Sequence, residues 1–373
     1  MLYYFLIFLI IYPYVIYPIV LFFLALIFSK KPEQGDELPI VSLVISAYNE
    51  ERVIEAKIKN SLELDYPRLE IIIASESNDS TNEIVKGYEG IRLFAFEGRE
   101  GKAATLYRVI PQCSGEIIIF SDANGMYEKE AIRKLVRNFK DKGVGCVSGR
   151  MKYINPNQTS IGKGESIYWN YEFIIKKLSS RLQHLLGANG CIFALRKEAW
   201  LPLSKYRGDD FELPINAGIN GYKVILEPEA IAYEEVTENF RDEYKRKVRI
   251  MSWNFISALM LLREAVIKGR VFIGFQLISH KILRWLTPFF LIALLINNIM
   301  IIKEGQTIYF VTLILQLGLY LSAIIGLLID KFTSKRLPKI LLIPYYYCMT
   351  NYASMIAIIR SIFREDRIWE KNR

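Results

Sequence analysis

The chain has 373 residues and a formal net charge of +9, with 52% hydrophobic residues, 23% charged residues, four cysteines and two histidines. That length suits one catalytic domain plus a second unit. His184 and His280 stand at no metal-ligand spacing and Cys113, Cys146, Cys191 and Cys348 form no C-x-x-C pair, which argues against histidine-based catalysis and for reduced cysteines in the cytosol or membrane.

Residues 1–29 carry no charge, and neither do 285–302, 305–329 or 340–359. Each run is close to or above the roughly 18–20 apolar residues that cross a bilayer. The chain therefore reads as an integral membrane protein with a soluble centre. The first run is too long and too aromatic for a secretory h-region and lacks a small-residue cleavage site, which predicts a retained helix kinked at Pro13 and Pro18. Lys30 and Lys31 follow it, Lys281 and Arg284 precede the second run, and Lys331, Lys335 and Arg336 follow the third, whereas the second and third are separated only by Lys303 and Glu304. This asymmetry puts the centre in the cytoplasm. The fourth run breaks the pattern, because a full crossing would export the basic tail of Arg360, Arg364, Arg367, Lys371 and Arg373; a re-entrant or interfacial segment is the alternative. The excess positive charge thus belongs to membrane flanks facing anionic lipid and not to a nucleic-acid surface.

After a polar linker over 31–38, Pro39 to Ser46 predicts a buried strand that opens into Ala47, Tyr48, Asn49 and Glu50. Helical spacing runs from Glu51 to Leu62 and stops at Tyr66 and Pro67. A second strand, Leu69 to Ala74, ends in the turn-rich Ser75 to Thr81, which caps a helix from Asn82 to Tyr88. Ile91 to Phe96 is a third strand, and Gly98 to Lys102 leads into another helix. The strand from Glu116 to Phe120 then ends in Ser121, Asp122, Ala123, Asn124 and Gly125. Alternating strands and helices imply an α/β fold with a mainly parallel sheet, whose strand ends deliver four polar loops to one edge. Such an edge is a nucleotide-type crevice. Asp122 and Asn124 can reach one hard divalent cation, Mg²⁺ or Mn²⁺, which would hold phosphate; taken alone, the same residues are an ordinary turn. Farther on, Arg241 to Trp253 reads as a basic amphipathic helix on the membrane surface, with Tyr244, Val248, Met251 and Phe255 opposite Arg241, Lys245, Arg246 and Arg249.

Residues 39–250 resemble a family 2 glycosyltransferase of the membrane-bound group that includes cellulose-, chitin- and hyaluronan-synthase-like enzymes. The motifs, in the family's order, are V-S-L-V-I-S-A-Y-N-E (41–50), N-D-S-T (78–81), G-R-E-G-K (98–102), F-S-D-A-N (120–124), Y-W-N-Y-E (168–172), G-A-N-G (187–190), G-D-D-F-E-L-P (208–214) and G-Y-K-V-I-L-E-P (221–228). The resemblance implies a glycosyltransferase A-type domain binding a nucleotide-diphosphate sugar. It makes Asp122 the first ligand of a D-x-D metal site, with Asn124, a weaker neutral ligand, in the second place. Asp210 becomes the catalytic base of an inverting displacement and Asp209 its support, although both carboxylates also suit a helix N-terminus. Ala47, Tyr48, Glu50, Glu76 and Asp79 border the nucleotide, with Ser75 or Glu76 where relatives carry an aspartate. Lys102 either approaches the nucleotide or is a solvated first-turn lysine. Gly187, Gly190 and Trp169 fall on the acceptor side, where Trp169 and Tyr171 are candidates for stacking on a sugar.

Residues 246–250, R-K-V-R-I, stand where processive synthases carry Q-x-x-R-W. Arg249 matches and can neutralise the leaving diphosphate; Ile250 cannot stack on a polymer end. The expectation is a metal-dependent enzyme transferring one or few sugars to a lipid-linked or glycan acceptor, with processive synthesis and a silent scaffold as alternatives. Expected boundaries are a transmembrane helix (1–29), a cytoplasmic glycosyltransferase domain (30–240), amphipathic membrane-interface helices (241–280), transmembrane segments (281–363) and a basic tail (364–373).

Overall fold

The computed structural model describes residues 1–155, 159–202, 208–236, 239–333 and 336–363. The basic tail at 364–373, Lys335 and part of the loop before Gly208 lie outside the described residues. Eight strands form one sheet: β1 Val41–Ala47, β2 Leu69–Ser75, β3 Ile91–Ala95, β4 Ile117–Asp122, β5 Met126–Tyr127, β6 Val144–Ile154, β7 Phe193–Arg196 and β8 Lys223–Glu235. Their order is β3-β2-β1-β4-β7-β6-β8-β5. The first four strands pair in parallel, as does β6 with β8, while β7 runs antiparallel between β4 and β6, and β5 antiparallel to β8. The four early strands match the expected ones to within one or two residues. The antiparallel half goes beyond the sequence reading, because β7 is short and comes after loops whose composition carries no period.

β1 holds the sheet in place from inside. Val41, Leu43, Val44 and Ile45 have no exposed surface, and each such burial stabilises by roughly 1.5–3 kcal/mol. Covered on both faces, the strand must read as a continuous apolar run. Helices Ile54–Leu62, Thr81–Lys86, Lys102–Val109 and Ala131–Val136 (α2 to α5) flank it. The first of them starts three residues later than expected, since Asn49 adopts a left-handed φ of 55° and the chain must turn before it can wind. Across the parallel-to-antiparallel junction, Phe120 of β4 stacks on its register partner Phe193 of β7, with ring centroids 4.5 Å apart.

The N-terminal helix α1 spans Leu2–Phe28. It passes Pro13 through a π-helical turn, Tyr12–Ile16. Its Tyr17, Leu21 and Ala25 pack on Ile175 and Leu178 of α6, Ser160–Arg181, which fixes the membrane segment to the catalytic domain. After α7, Asp209–Ile219, come α8 Phe240–Ile267, α9 Val271–Glu304, α10 Thr307–Phe332 and α11 Lys339–Phe363. Among the described residues, α1, α8, α9 and α10 are long and apolar enough to cross a membrane. The chain is a membrane protein.

Two details correct the sequence reading. Part of the apolar face of α8 is covered by protein: Val248, with Tyr244 and Met251, packs against Ala353 and Ala357 of α11. On its basic face Arg241 and Lys245 are exposed, whereas Arg246 and the adjacent Lys247 turn toward carboxylates. Arg246 is held by Glu165 and by Glu243 at 2.7 Å, and Lys247 by Glu243 at 3.2 Å. Buried carboxylates on α6 and on the preceding turn of α8 itself pull these cations inward, and helical periodicity cannot reveal such partners.

Candidate active site

β1 is flanked by β2 on one side and β4 on the other, so the chain's direction of winding reverses between β1 and β4. Ligands bind at the carboxyl ends of strands at such a switch point. Ser46 of β1 is the register partner of Asp122 at the end of β4. The last residues of both strands open into a cavity of about 440 Å³ that reaches from the Tyr48 loop to Trp285 of α9, within the size range of small-molecule sites.

Three carboxylates converge at its floor. The Lys102 ammonium, on the first residue of α4, lies 2.8 Å from Asp122 Oδ1 and 3.0 Å from Asp209 Oδ2. Burial alone would raise the Asp122 carboxyl, but Lys102, with Lys57 and Arg249 farther off, holds it below the usual range. Asp209 is raised by burial and by Asp122 against the pull of Lys102. Asp210 is pushed up to about 6, first by burial and then by the Asp209 charge. A carboxylate with this pKa is ionised at neutral pH yet basic enough to accept a proton. The Asp210 backbone carbonyl accepts a 2.7 Å hydrogen bond from Ala188 N–H, tying α7 to the 187–190 loop. Gly187 there needs its φ of +81°. At Gly190, a Cβ would stand 3.3 Å from Asp210 Oδ2 and 3.5 Å from Asp122 Oδ2. Glycine therefore keeps the space between the two carboxylates open.

The residues present fit a divalent cation. Lys102 occupies one Asp122 oxygen and leaves Oδ2 toward the Gly190 gap. Asn124 Nδ2 donates to Glu234 Oε1 at 2.9 Å, so Oδ1 is the amide atom that could reach a cation. Oxygen donors of this kind select Mg²⁺ or Mn²⁺. Among the described residues, no group of three or more His, Cys, Asp or Glu could hold an ion. Behind this loop, fully buried Lys57 donates to Gly125 O and lies 4.1 Å from the Tyr127 ring. Burial lowers its pKa to about 7, against the charges of Cys191 and Asp122.

At the far end of β1 and β2, Ala47, Tyr48, Glu50 and Glu76 line the cavity and Arg99 stacks over Tyr48 at 4.5 Å. Glu76 accepts from Gly101 N–H at 2.8 Å and Glu100 N–H at 3.3 Å, so it shapes the 98–102 loop. Asp79 is not brought to the cavity: its carboxylate accepts from Thr81 and from Glu51 N–H. Ser75 is buried and bonds Ser77, leaving Glu76 as the acidic residue that faces the cavity.

On the other side stand Trp169, Arg249 and Ile250, the last 43% exposed. Trp169 reaches the cavity with the Lys176 ammonium 5.6 Å from its ring. Tyr171 does not, since its hydroxyl donates to Tyr14 O of α1 at 2.8 Å. Sequence reasoning missed several residues here. Trp253, three positions after Ile250 and therefore on the same side of α8, lines the cavity beside Trp285. Buried Glu172 pairs with Arg284 and lies 3.4 Å from His280 Nε2; burial would raise its carboxyl, yet Arg284 and His280 hold it well below the ordinary range. Lys176, its pKa lowered by burial and the nearby Lys281 to about 8, donates to Ala188 O and Asn189. The E of Y-W-N-Y-E and the lysine four residues later were the available signal.

The mainly parallel sheet with a carboxylate-lined crevice at its switch point has the glycosyltransferase A-type fold. Residues 42–201 match the glycosyl transferase family 2 profile, so this part of the chain carries a domain similar to that family. The chain is 29% identical over 235 residues to poly-beta-1,6-N-acetyl-D-glucosamine synthase of Staphylococcus aureus (strain COL), covering 59% of this chain and 56% of that protein. The probable glycosyltransferase YdaM of Bacillus subtilis (strain 168) is 28% identical over 255 residues, 62% of this chain and 59% of that protein. The matches thus cover little more than half the length of these relatives. Among solved structures, the mannosyltransferase PcManGT from Pyrobaculum calidifontis, in complex with GDP-Man and Mn²⁺, superposes with a TM-score of 0.71 at 18% identity, over 98% of this chain and 100% of that one. That likeness establishes the fold.

Proposed function

We propose that the protein transfers a sugar, with inversion, from a nucleotide-diphosphate donor to a lipid-linked or glycan acceptor at the cytoplasmic face of the membrane. The observation that carries this reading is the convergence of Asp122, Asp209 and Asp210 around Lys102, open to one cavity that also meets the membrane helices. The nucleotide lies along Ala47, Tyr48, Glu50 and Glu76. Asp122 and Asn124 would hold a divalent cation, which when bound supplies positive charge to the diphosphate. Asp210 takes the proton from the acceptor hydroxyl as the oxygen bonds to the anomeric carbon, and the bond to the diphosphate breaks on the opposite side. Arg249 stabilises the charge left on the departing diphosphate. Asp209, paired with Lys102, keeps Asp210 basic. Gly187, Gly190 and Trp169 shape the acceptor side, and the exposed Ile250 favours transfer of one or few sugars.

In this reading α1, α9 and α10 cross the bilayer, while α8 and α11 lie at its cytoplasmic boundary, pinned by Tyr346 O–H donating to Glu243 at 3.2 Å and Ser354 donating to Trp285 O at 2.8 Å. Both ends of the catalytic domain then stay on one side. The test is product analysis: purified protein, a panel of nucleotide sugars and a membrane lipid extract, read by mass increment and anomeric configuration. A lipid carrying one added hexose or aminosugar of inverted configuration supports the proposal; a retained configuration refutes it.

A further inference from the structure

The cavity does not end at the catalytic carboxylates. A second chamber of about 40 Å³ continues from it and shares Tyr168, Met251, Lys281 and Trp285 with it. At roughly 10–15 Å³ per water, this is room for about three waters, or one phosphate-sized group. Arg284 and Thr350 also line it.

Several features make this a built site. Lys281 closes a π-helical turn, Leu277–Ile282, in α9. One extra residue per turn rotates the downstream helix by about 100° from α-helical register, and such bulges cluster at functional sites. The turn is clamped by α1, through a 2.9 Å hydrogen bond between Ser279 and Tyr12 of its π turn and the stacking of Tyr17, just past that turn, on His280. Glu172 answers Arg284. Among the described residues, no hydrogen bond or ion pair answers the Lys281 ammonium, and buried Thr350 Oγ1 finds no partner. A cation and a hydroxyl with unused hydrogen-bonding capacity, facing one small chamber, fit a phosphate.

Depth says where that phosphate comes from. The uncharged run begins at Trp285, one residue after Arg284, so Lys281 and Arg284 lie at the level of lipid headgroups. Lys281 and Trp285 line both this chamber and the catalytic cavity that holds Asp122, Asp209 and Asp210, which places the chamber between the membrane boundary and the catalytic carboxylates.

Resting on the glycosyltransfer reading, we infer that this chamber binds the phosphate of a membrane-anchored acceptor, with Lys281 and Thr350 as the recognising groups. The phosphate is the anchor, and the sugar carried beyond it reaches Asp210.

The test uses the full chain in phosphate-free detergent, with the donor site filled by a nucleoside diphosphate and Mn²⁺. Binding of farnesyl phosphate, inorganic phosphate and farnesol is measured for the native protein, Lys281→Met and Thr350→Val. Retained nucleoside diphosphate binding certifies that a variant is folded. Farnesyl phosphate should bind the native protein and lose about tenfold or more in Lys281→Met, as expected for a charge-assisted hydrogen bond, with a smaller loss in Thr350→Val and little binding of farnesol. Equal affinity of native protein and Lys281→Met for farnesyl phosphate would overturn the assignment. Inorganic phosphate reproducing the full affinity and its Lys281 dependence would overturn the lipid source. No turnover is required, so failure of this inference is separable from failure of the glycosyltransfer reading.

Discussion

Replacing Lys102 by methionine keeps the side chain's length and deletes a cation that touches two of the three carboxylates. The ammonium lies 2.8 Å from Asp122 and 3.0 Å from Asp209. At an effective dielectric constant of about 20, a unit charge at about 3 Å contributes on the order of 5 kcal/mol. The Asp122 side chain is 40% exposed and Lys102 24%, so solvent screening removes most of that. We carry about 1.5–2 kcal/mol, or roughly one to one and a half pKa units, to the coupled carboxylates. Asp210, at about 6 in the native protein, should then titrate above about 7. The assay is nucleoside diphosphate release as a function of pH, fitted for the acid limb of kcat/KM. Lys102→Met should move that limb upward, and Lys102→Arg, which keeps the charge, should move it little. A limb that stays at about 6 or falls in Lys102→Met would refute the electrostatic role given to this lysine.

In the native protein, kcat/KM should fall about tenfold per pH unit below about 6, because protonated Asp210 cannot accept the acceptor's proton; a flat profile down to pH ~4.5 would exclude it as base. Asp210→Asn should lower kcat by about 100- to 10,000-fold with donor affinity kept, as measured by turnover and nucleotide binding. Asn124→Asp should not tighten Mn²⁺ binding on its own, since Glu234 lies 2.9 Å from that amide and would repel a carboxylate; Asn124→Asp with Glu234→Gln should bind Mn²⁺ more tightly than either single variant in a titration tracked by electron paramagnetic resonance. Trp169→Ala should raise the acceptor KM about tenfold while leaving the donor KM unchanged, and equal rises in both would remove Trp169 from the acceptor side.

Much of the parallel half of the fold was legible because β1, β2 and β4 are largely buried on both faces and so carry dense β-branched and apolar runs, each stopped by small polar residues. The same stops delivered Asp122, Asn124 and Glu76 to one edge. Gly190 and Asp210 were reachable only through motif resemblance, since a glycine's use lies in what its missing Cβ leaves open. The rest was hidden for a physical reason. Arg246, Lys281 and Arg284 look like membrane flanks, and it takes Glu165 and Glu172, far away in sequence, with Glu243 one turn back on α8, to turn Arg246 and Arg284 inward, while among the described residues no hydrogen bond or ion pair holds the Lys281 ammonium. Asp79 was expected beside the nucleotide from motif resemblance, and its carboxylate accepts from Thr81 and Glu51 N–H instead of lining the cavity. The π turns at Tyr12–Ile16 and Leu277–Ile282 leave no periodic signal except the proline in the first.

The most direct measurement is release of nucleoside diphosphate from a panel of nucleotide sugars by the purified protein, with Mn²⁺, Mg²⁺ or chelator, beside Asp210→Asn. The expected result is release from one donor, dependent on the metal and lost in the variant. Release that persists in chelator, or at an undiminished rate in Asp210→Asn, would contradict the assignment of Asp122, Asn124 and Asp210 to metal binding and catalysis.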